Sequence, residues 1–326
     1  MVASIDLEAH LRAYRDRVDI ALEELVSEEM LGPSAEAMAM ARTVLMAGGK
    51  RWRPVLTLLA HEAAGGTLND EVMDLALAFE LIHTATLVHD DIYDGARLRR
   101  GAPTLHTTHG DAQAIIVGDY LFVLGFGLGG RAETRIVDSV SKTCTAIAAA
   151  ELKQMRHIRD LTTRPEDYDE IVRGKTAGPF ANACAAAAIL ANASENEVDN
   201  LRKFGMGIGI AFQMVDDLLD LTGDLTMGKP RGTDVHEGKM TLPLIHALTI
   251  LHGEPRQRMS EILESFNDAY WDELTELLNE AGSFDYTRNL IETHLINALE
   301  NLRSLPLTPA RELMEGLAEI SLGRKV

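Results

Sequence analysis

Cysteine is almost missing from this chain: Cys144 and Cys184 are the only two in 326 residues. That excludes a disulfide framework, and the alanine-rich helical surroundings of each suggest a buried free thiol. Positive charge is scarce too. Lys and Arg number 31 against 50 Asp and Glu, for a net charge of −19. Such a balance argues against nucleic acid and against an anionic membrane surface as partners. The alanine-rich stretch Ala181 to Ala193 is too short and too weakly apolar to cross a bilayer. The first residues, MVASIDLEAHLRAYRDRV, are charged and amphipathic, unlike a signal peptide. The closing Gly-Arg-Lys-Val carries no prenylation signal. The expectation is a soluble cytoplasmic protein with no integral membrane segment and no nucleic-acid partner.

Aromatic residues make up 5%, and strand-like alternation is rare. Alanine and leucine dominate, and apolar residues recur at helical spacing, as at Leu75, Phe79, Ile82 and Thr86. The pattern predicts an all-α chain of about ten to fourteen helices joined by short loops. No Pro/Gly/Ser-rich linker and no internal repeat divides it, so residues 1–326 are expected to form a single domain. Its weaker part, about 250–326, reads as helices with a polar loop near Gly282 to Asp285.

Two acidic clusters share one design: Asp90-Asp91-Ile-Tyr-Asp94 and Asp216-Asp217-Leu-Leu-Asp220. Residues i and i+4 share a helical face, so Asp90 stacks with Asp94 and Asp216 with Asp220. Asp91 and Asp217 widen each cluster. Three like charges in an apolar setting repel and call for cations. Two such faces opposed across a cavity would hold several divalent ions. Mg²⁺, which uses one or two carboxylates plus substrate phosphates, fits best. One such motif alone is as well explained by a solvated acidic face; two copies, each behind an apolar run, are not.

The basic residues supply the other half. Gly48-Gly49-Lys50-Arg51-Trp52-Arg53-Pro54 is a glycine turn, three cations and a proline suited to a helix start. Cations beside a helix N-terminus make an anion site. Arg99-Arg100 follow the first acidic cluster, Lys175-Thr176 lie mid-chain, and Lys229 and Lys239 flank the loop after the second cluster. Carboxylates for metal beside separate cation sets suggest two anionic substrates.

These residues resemble the trans-isoprenyl diphosphate synthases, the polyprenyl synthetase family, over about residues 45–246. The shared motifs are G-G-K-R-W-R-P at 48–54, H-T-A-T-L-V-H-D-D-I-Y-D at 83–94 and R-R-G-A-P-T at 99–104. G-D-Y at 118–120, E-x-x-Q at 151–154, G-K-T-A at 174–177 and F-Q-M-V-D-D-L-L-D at 212–220 follow, then G-K-P-R-G-T-D and G-K-M-T-L-P. The resemblance implies the type I isoprenoid synthase helical bundle, single-domain around a deep central cavity. It implies head-to-tail elongation of an allylic diphosphate by isopentenyl diphosphate, and a homodimer. Mg²⁺, three ions per site, would be held by Asp90, Asp94 and Asp216, with Asp91, Asp217 and Asp220 as further or outer ligands. Arg99, Lys175, Lys229 and Lys239 would bind the allylic diphosphate, and Lys50, Arg53, His83 and Arg100 isopentenyl diphosphate. Lys175, Thr176 and Gln213 would stabilise the allylic cation. His83 gains its role from the motif; His89, His106 and His109 read as structural. Asp234 belongs with Lys239 to a closing loop, and Gln154 could face the cavity.

Ala78, Ile82, Ala85 and Thr86, upstream of the first cluster, would set the depth of an apolar tunnel, with Phe122 and Phe126 as candidate floors. Small residues at 85 and 86, and the uninterrupted D-D-x-x-D spacing, point to a product longer than fifteen carbons. Plain helix packing is the rival account of the wall positions. A class I terpene cyclase would share the fold and first motif but has no use for Lys50, Arg53 and Arg100. A catalytically weak subunit of a heteromeric synthase would tend to lose aspartates that are all present here. A head-to-head condensing enzyme would be expected to differ in the basic motifs.

Overall fold

The computed structural model describes residues 7–223 and 232–323. These residues form sixteen α-helices, above the expected ten to fourteen, with a two-stranded hairpin, one π turn and one 3-10 turn. The excess comes from short pieces cut by helix breakers. Glycine ends the five-residue helices at Leu105–His109 and Thr233–Glu237, and proline opens others at Pro165 and Pro309.

Contacts divide the chain into two compact units, both discontinuous in sequence. The division falls inside helices, not in linkers, which is why composition showed no boundary. The first unit takes residues 1–144, 182–202 and 303–316. It contains α1 (Leu7–Glu29), α2 (Ala35–Leu45), α3 (Trp52–Ala63), α4 (Asp70–Tyr93), α5 (Leu105–His109) and α6 (Asp111–Gly129). Its core joins Val18 and Leu22 of α1, Met38 of α2, Leu58 of α3, Leu81 and Val88 of α4, and Val117 and Leu121 of α6.

The α4–α6 pair is unusually close because α6 offers glycines where α4 crosses. A Cβ at Gly118 would lie 2.1 Å from His89 Nε2, one at Gly125 would meet Ile82 and Ala78, and one at Gly129 would meet Ala78. These pairs run in opposite senses, so the helices are antiparallel. Both helices are long and apolar enough to span a membrane by length and composition, yet two-thirds of the apolar stretch of α4 is buried in the fold.

The second unit takes residues 145–181, 203–302 and 317–326. It contains α8 (Pro165–Val172), the π turn Arg173–Ala177, and most of α10 (Glu195–Thr222) and α15 (Ser283–Arg303), with the short α11 (Thr233–Glu237). The α7 helix (Thr134–Arg156) and α9 (Gly178–Leu190) each contribute one end. Helix α10 sits in clefts that only glycine admits. A Cβ at Gly205 or Gly209 would strike backbone at Phe180 or Ala177, and one at Gly207 would strike Ala298 of α15.

Candidate active site

The first acidic cluster falls at the last turn of α4 and the second within the last two turns of α10, and neither last turn carries a basic residue. The C-terminal end of a helix carries partial negative charge, so carboxylates there are disfavoured unless cations come from elsewhere.

In the first unit, Asp90 and Asp91 are buried and Asp94 partly so. Arg99 pairs with Asp91, its Nε 2.8 Å and 3.0 Å from the two oxygens. Burial still raises the Asp91 pKa, despite that arginine. Tyr93 donates to Asp90 at 2.5 Å. The strands β1 (Leu98–Arg99) and β2 (Ala102–Pro103) form a hairpin whose turn residues, Arg100 and Gly101, have φ of 53° and 79°. Positive φ at both turn positions is the type I′ geometry that matches strand twist. It aims Arg100 at the Gly48-Gly49 turn, where its guanidinium donates to the Gly48 carbonyl. A Cβ at Gly49 would sit 2.9 Å from Arg100 Nη1, so the second glycine makes room for that cation.

The three cations of the glycine-turn motif separate by role. Arg51, at φ 51°, is buried and committed: it bonds Glu80 at 2.6 Å, Asp19 at 2.8 Å and the Leu45 carbonyl at 2.6 Å. Burial pushes the Arg53 guanidinium down to about 10, with Glu80 opposing. Burial, then Arg53, Arg100, Arg99 and Arg51, hold His83 well below its ordinary value, so the ring is neutral at pH 7. The structure thus brings His83, Arg53 and Arg100 into one positive field. Glu80 is the buried anion inside it, and the sequence reading missed both Glu80 and the anchoring of Arg51.

In the second unit, Asp216 is exposed and Asp217 buried. Tyr168 of α8 donates to Asp217 Oδ2 at 2.6 Å, and Gln213 Nε2 donates to Oδ1 at 2.9 Å. Burial pushes Asp217 up to about 7; the two donors oppose this, and Asp216 and Asp220 add to it. Asp220 caps α11, accepting from the Thr233 and Asp234 amides at 3.0 Å and 3.1 Å. Burial, reinforced by Asp217 and Asp220, raises Asp234 strongly, with Lys239 opposing at 3.9 Å. Lys175 lies between Glu151 Oε1 at 2.8 Å and Gln154 at 3.0 Å, one turn apart on α7. Thr176 donates to Gln213 at 2.8 Å. Both ride on the π turn, a wide turn common at functional positions. Gly174 lets that turn approach α7, since a Cβ would lie 2.7 Å from Ala150. Tyr168 carried no signal in the sequence; Glu151 was marked only by the E-x-x-Q motif, which did not say that it pairs with Lys175. Lys229 lies outside the described residues.

Among the described residues, no three His, Cys, Asp or Glu side chains converge to hold a metal ion unaided. The donor set nonetheless fits Mg²⁺, which completes its shell with water and substrate phosphate. Carboxylates gathered near two helix C-termini are what such ions would neutralise.

The wall positions sort by face. At 100° per residue, His83 and Thr86 lie within about 40° of Asp90 on α4, whereas Ala78 and Ala85 lie about 120–140° away. Ala78 and Ala85 are fully buried in the core. Ile82 lies between the two faces and meets α6 at Gly125. Phe122 packs against the same core and stands 5.9 Å from the His89 ring. Phe126 is partly buried.

A sequence profile for polyprenyl synthetase matches residues 34–280. The chain belongs to the polyprenyl synthetase family. It is 34% identical over 319 residues to an octaprenyl diphosphate synthase of Escherichia coli, covering 93% of this chain and 98% of that relative. The crystal structure of a decaprenyl diphosphate synthase from Rhodobacter capsulatus is similar at TM-score 0.91 and 32% identity, covering 97% and 98% of the two chains. A Caulobacter crescentus polyprenyl synthase, complexed with calcium and isoprenyl diphosphate, is similar at TM-score 0.88 and 34% identity, covering 97% of each. This polyprenyl synthetase has the all-α isoprenoid synthase fold and is an enzyme, a prenyltransferase of isoprenoid biosynthesis. The family in general depends on Mg²⁺.

Proposed function

We propose that the enzyme condenses isopentenyl diphosphate head-to-tail with an allylic diphosphate and makes an all-trans polyprenyl diphosphate longer than fifteen carbons. What supports this is that each unit carries an acidic D-D-x-x-D cluster near the end of a long helix, and that Arg53, Arg100 and His83 share one positive field in the first. Asp90, Asp94 and Asp216 would hold Mg²⁺, three ions per site. Bound there, Mg²⁺ supplies Lewis-acid charge neutralisation for the departing diphosphate. Asp91, bonded to Arg99, and Asp217 and Asp220, bonded to neutral donors, act from the outer shell.

Arg99, Lys175, Lys229 and Lys239 add positive charge toward the allylic diphosphate. Lys50, Arg53, Arg100 and the neutral ring of His83 bind isopentenyl diphosphate; a neutral imidazole can donate one N–H to it without further charge repulsion. Breaking the allylic C–O bond leaves a carbocation, which the oxygens and dipoles of Thr176 and Gln213 and the π-turn carbonyls stabilise. The isopentenyl double bond attacks, and the proton lost passes to the released diphosphate. No side-chain base is required.

The whole chain is read as one catalytic domain of a cytoplasmic homodimer. The exposed apolar side of α6, with Ile116 60% and Val123 70% exposed, supports a second copy as its cover. Sedimentation of Val123→Asp at half the mass of the parent would agree; an unchanged mass would not.

The deciding experiment is a product mass analysis with isopentenyl diphosphate, Mg²⁺ and primers of five to twenty carbons. A ladder ending at one length supports elongation. A released hydrocarbon would turn the reading to a cyclase, and no turnover with any primer would turn it to a subunit needing a partner. Thr86→Phe, on the helix face of Asp90, should shorten the product. An unchanged length would remove Thr86 from the tunnel wall.

A further inference from the structure

We propose that Tyr168 is a positioning residue for this reaction: its hydroxyl fixes Asp217, and Asp217 in turn orients Gln213 and Thr176. The inference rests on the function proposed above for those last two residues. The four side chains form one line of hydrogen bonds. Thr176 Oγ1 donates to Gln213 Oε1 at 2.8 Å, Gln213 Nε2 donates to Asp217 Oδ1 at 2.9 Å, and Tyr168 donates to Asp217 Oδ2 at 2.6 Å.

The direction of the line follows from chemistry. Asp217 accepts at both oxygens, so Gln213 turns its NH₂ to Asp217 and its carbonyl oxygen to Thr176. Thr176 then spends its proton on Gln213, and its oxygen lone pairs are left for the substrate side. Electron-rich oxygen is what an allylic cation calls for. Held by Gln213 alone, the Asp217 carboxylate could swing about its Cβ–Cγ bond. A second donor on the other oxygen removes that freedom. Tyr168 is suited to supply it. Its ring is buried in α8, 6% exposed, and its hydroxyl reaches Asp217 across 49 residues of sequence. Both Asp217 oxygens are therefore occupied by protein donors, and Asp216, one residue earlier and exposed, is left to face metal.

Tyr168→Phe removes one oxygen atom and tests this. The expected result is a fall in kcat of roughly 10–100-fold, typical of groups that orient a functional side chain. KM for both diphosphates and the Mg²⁺ half-saturation should move less than about threefold, because Tyr168 touches neither. Thr176→Val, which cuts the same line at its other end, should not compound the loss in the double variant. Multiplying effects, or a shift in Mg²⁺ requirement as large as that in kcat, would overturn the proposal.

A readout independent of activity is the position of Gln213 in metal-free crystals. In Tyr168→Phe its amide should leave hydrogen-bond reach of Thr176; an unmoved amide overturns the proposal even if the parent makes no product. Should that variant not fold, Gln213→Ala and Thr176→Val, alone and together, give the same test of coupling. A parent that elongates normally beside an unaffected Tyr168→Phe refutes the positioning role and leaves the assigned reaction standing.

Discussion

The two D-D-x-x-D clusters are alike in sequence and unlike in what surrounds them. In the first, the middle aspartate is answered by a full charge, Arg99. In the second it is answered by neutral donors, Tyr168 and Gln213, and the third aspartate by backbone amides of α11. The first cluster thus carries part of its own counter-charge. In the second, neutral donors and backbone amides fix the geometry of Asp217 and Asp220 without adding positive charge of their own. A motif therefore specifies which groups are present, and the neighbouring elements specify which of them stay available.

The largest effect should come from the first carboxylate of each cluster. Asp90→Ala and Asp216→Ala should each lower turnover by roughly a thousandfold or more, with the thermal melt of the metal-free protein little changed or raised. Retained turnover in either would end the metal account of that cluster. Arg99→Gln separates the clusters next, because it strands the buried Asp91. Loss of a hydrogen-bonded charge partner should destabilise by about 2 kcal/mol in urea unfolding, whereas Gln213→Ala should cost about half as much. Equal losses would erase the distinction between charged and neutral support.

Asp220→Ala removes an N-cap from α11 and should cost about 1 kcal/mol. Faster proteolysis near residues 232–239 would accompany it, and unchanged cleavage would mean that Trp271 against Gly232 and Arg159 against Gly238 hold α11 without the cap.

The smallest effect concerns pH. The His83 pKa is depressed in the folded state, so the unfolded chain binds more protons below 6.5. Stability contributed at neutral pH is lost as pH falls from 6.5 toward the depressed value. His83→Gln should flatten that part of the profile, and an unchanged slope would place the acid sensitivity elsewhere.

Much of this was legible in the sequence because it is local. Acidic residues at helical spacing, the glycine turn before Lys50 and the run Lys175-Thr176 announce themselves within a few positions. What was not legible is long-range. Arg51 looked like its neighbours Lys50 and Arg53 until Glu80, 29 residues on, and Asp19, 32 residues back, were seen to claim it. Tyr168 is an ordinary tyrosine until α8 carries it to Asp217. The hairpin at Arg99 was hidden because two-residue strands leave no alternation to read, and the π turn because its sequence differs little from an α-helical one. Helical periodicity did place His83 on the face of Asp90. It could not tell that Ala78 meets the α6 glycines, since a small residue suits a tunnel wall and a tight helix contact equally.

Helix α10 behaves mechanically as a clamped beam. Gly205, Gly207 and Gly209 are gripped by backbone and alanine on two sides, and Asp216 lies seven residues, about 10 Å, beyond the last grip. A beam held so close to its tip bends little under load. A load on the acidic tip should therefore strain side-chain torsions before it strains the helix, and the scaffold keeps its setting.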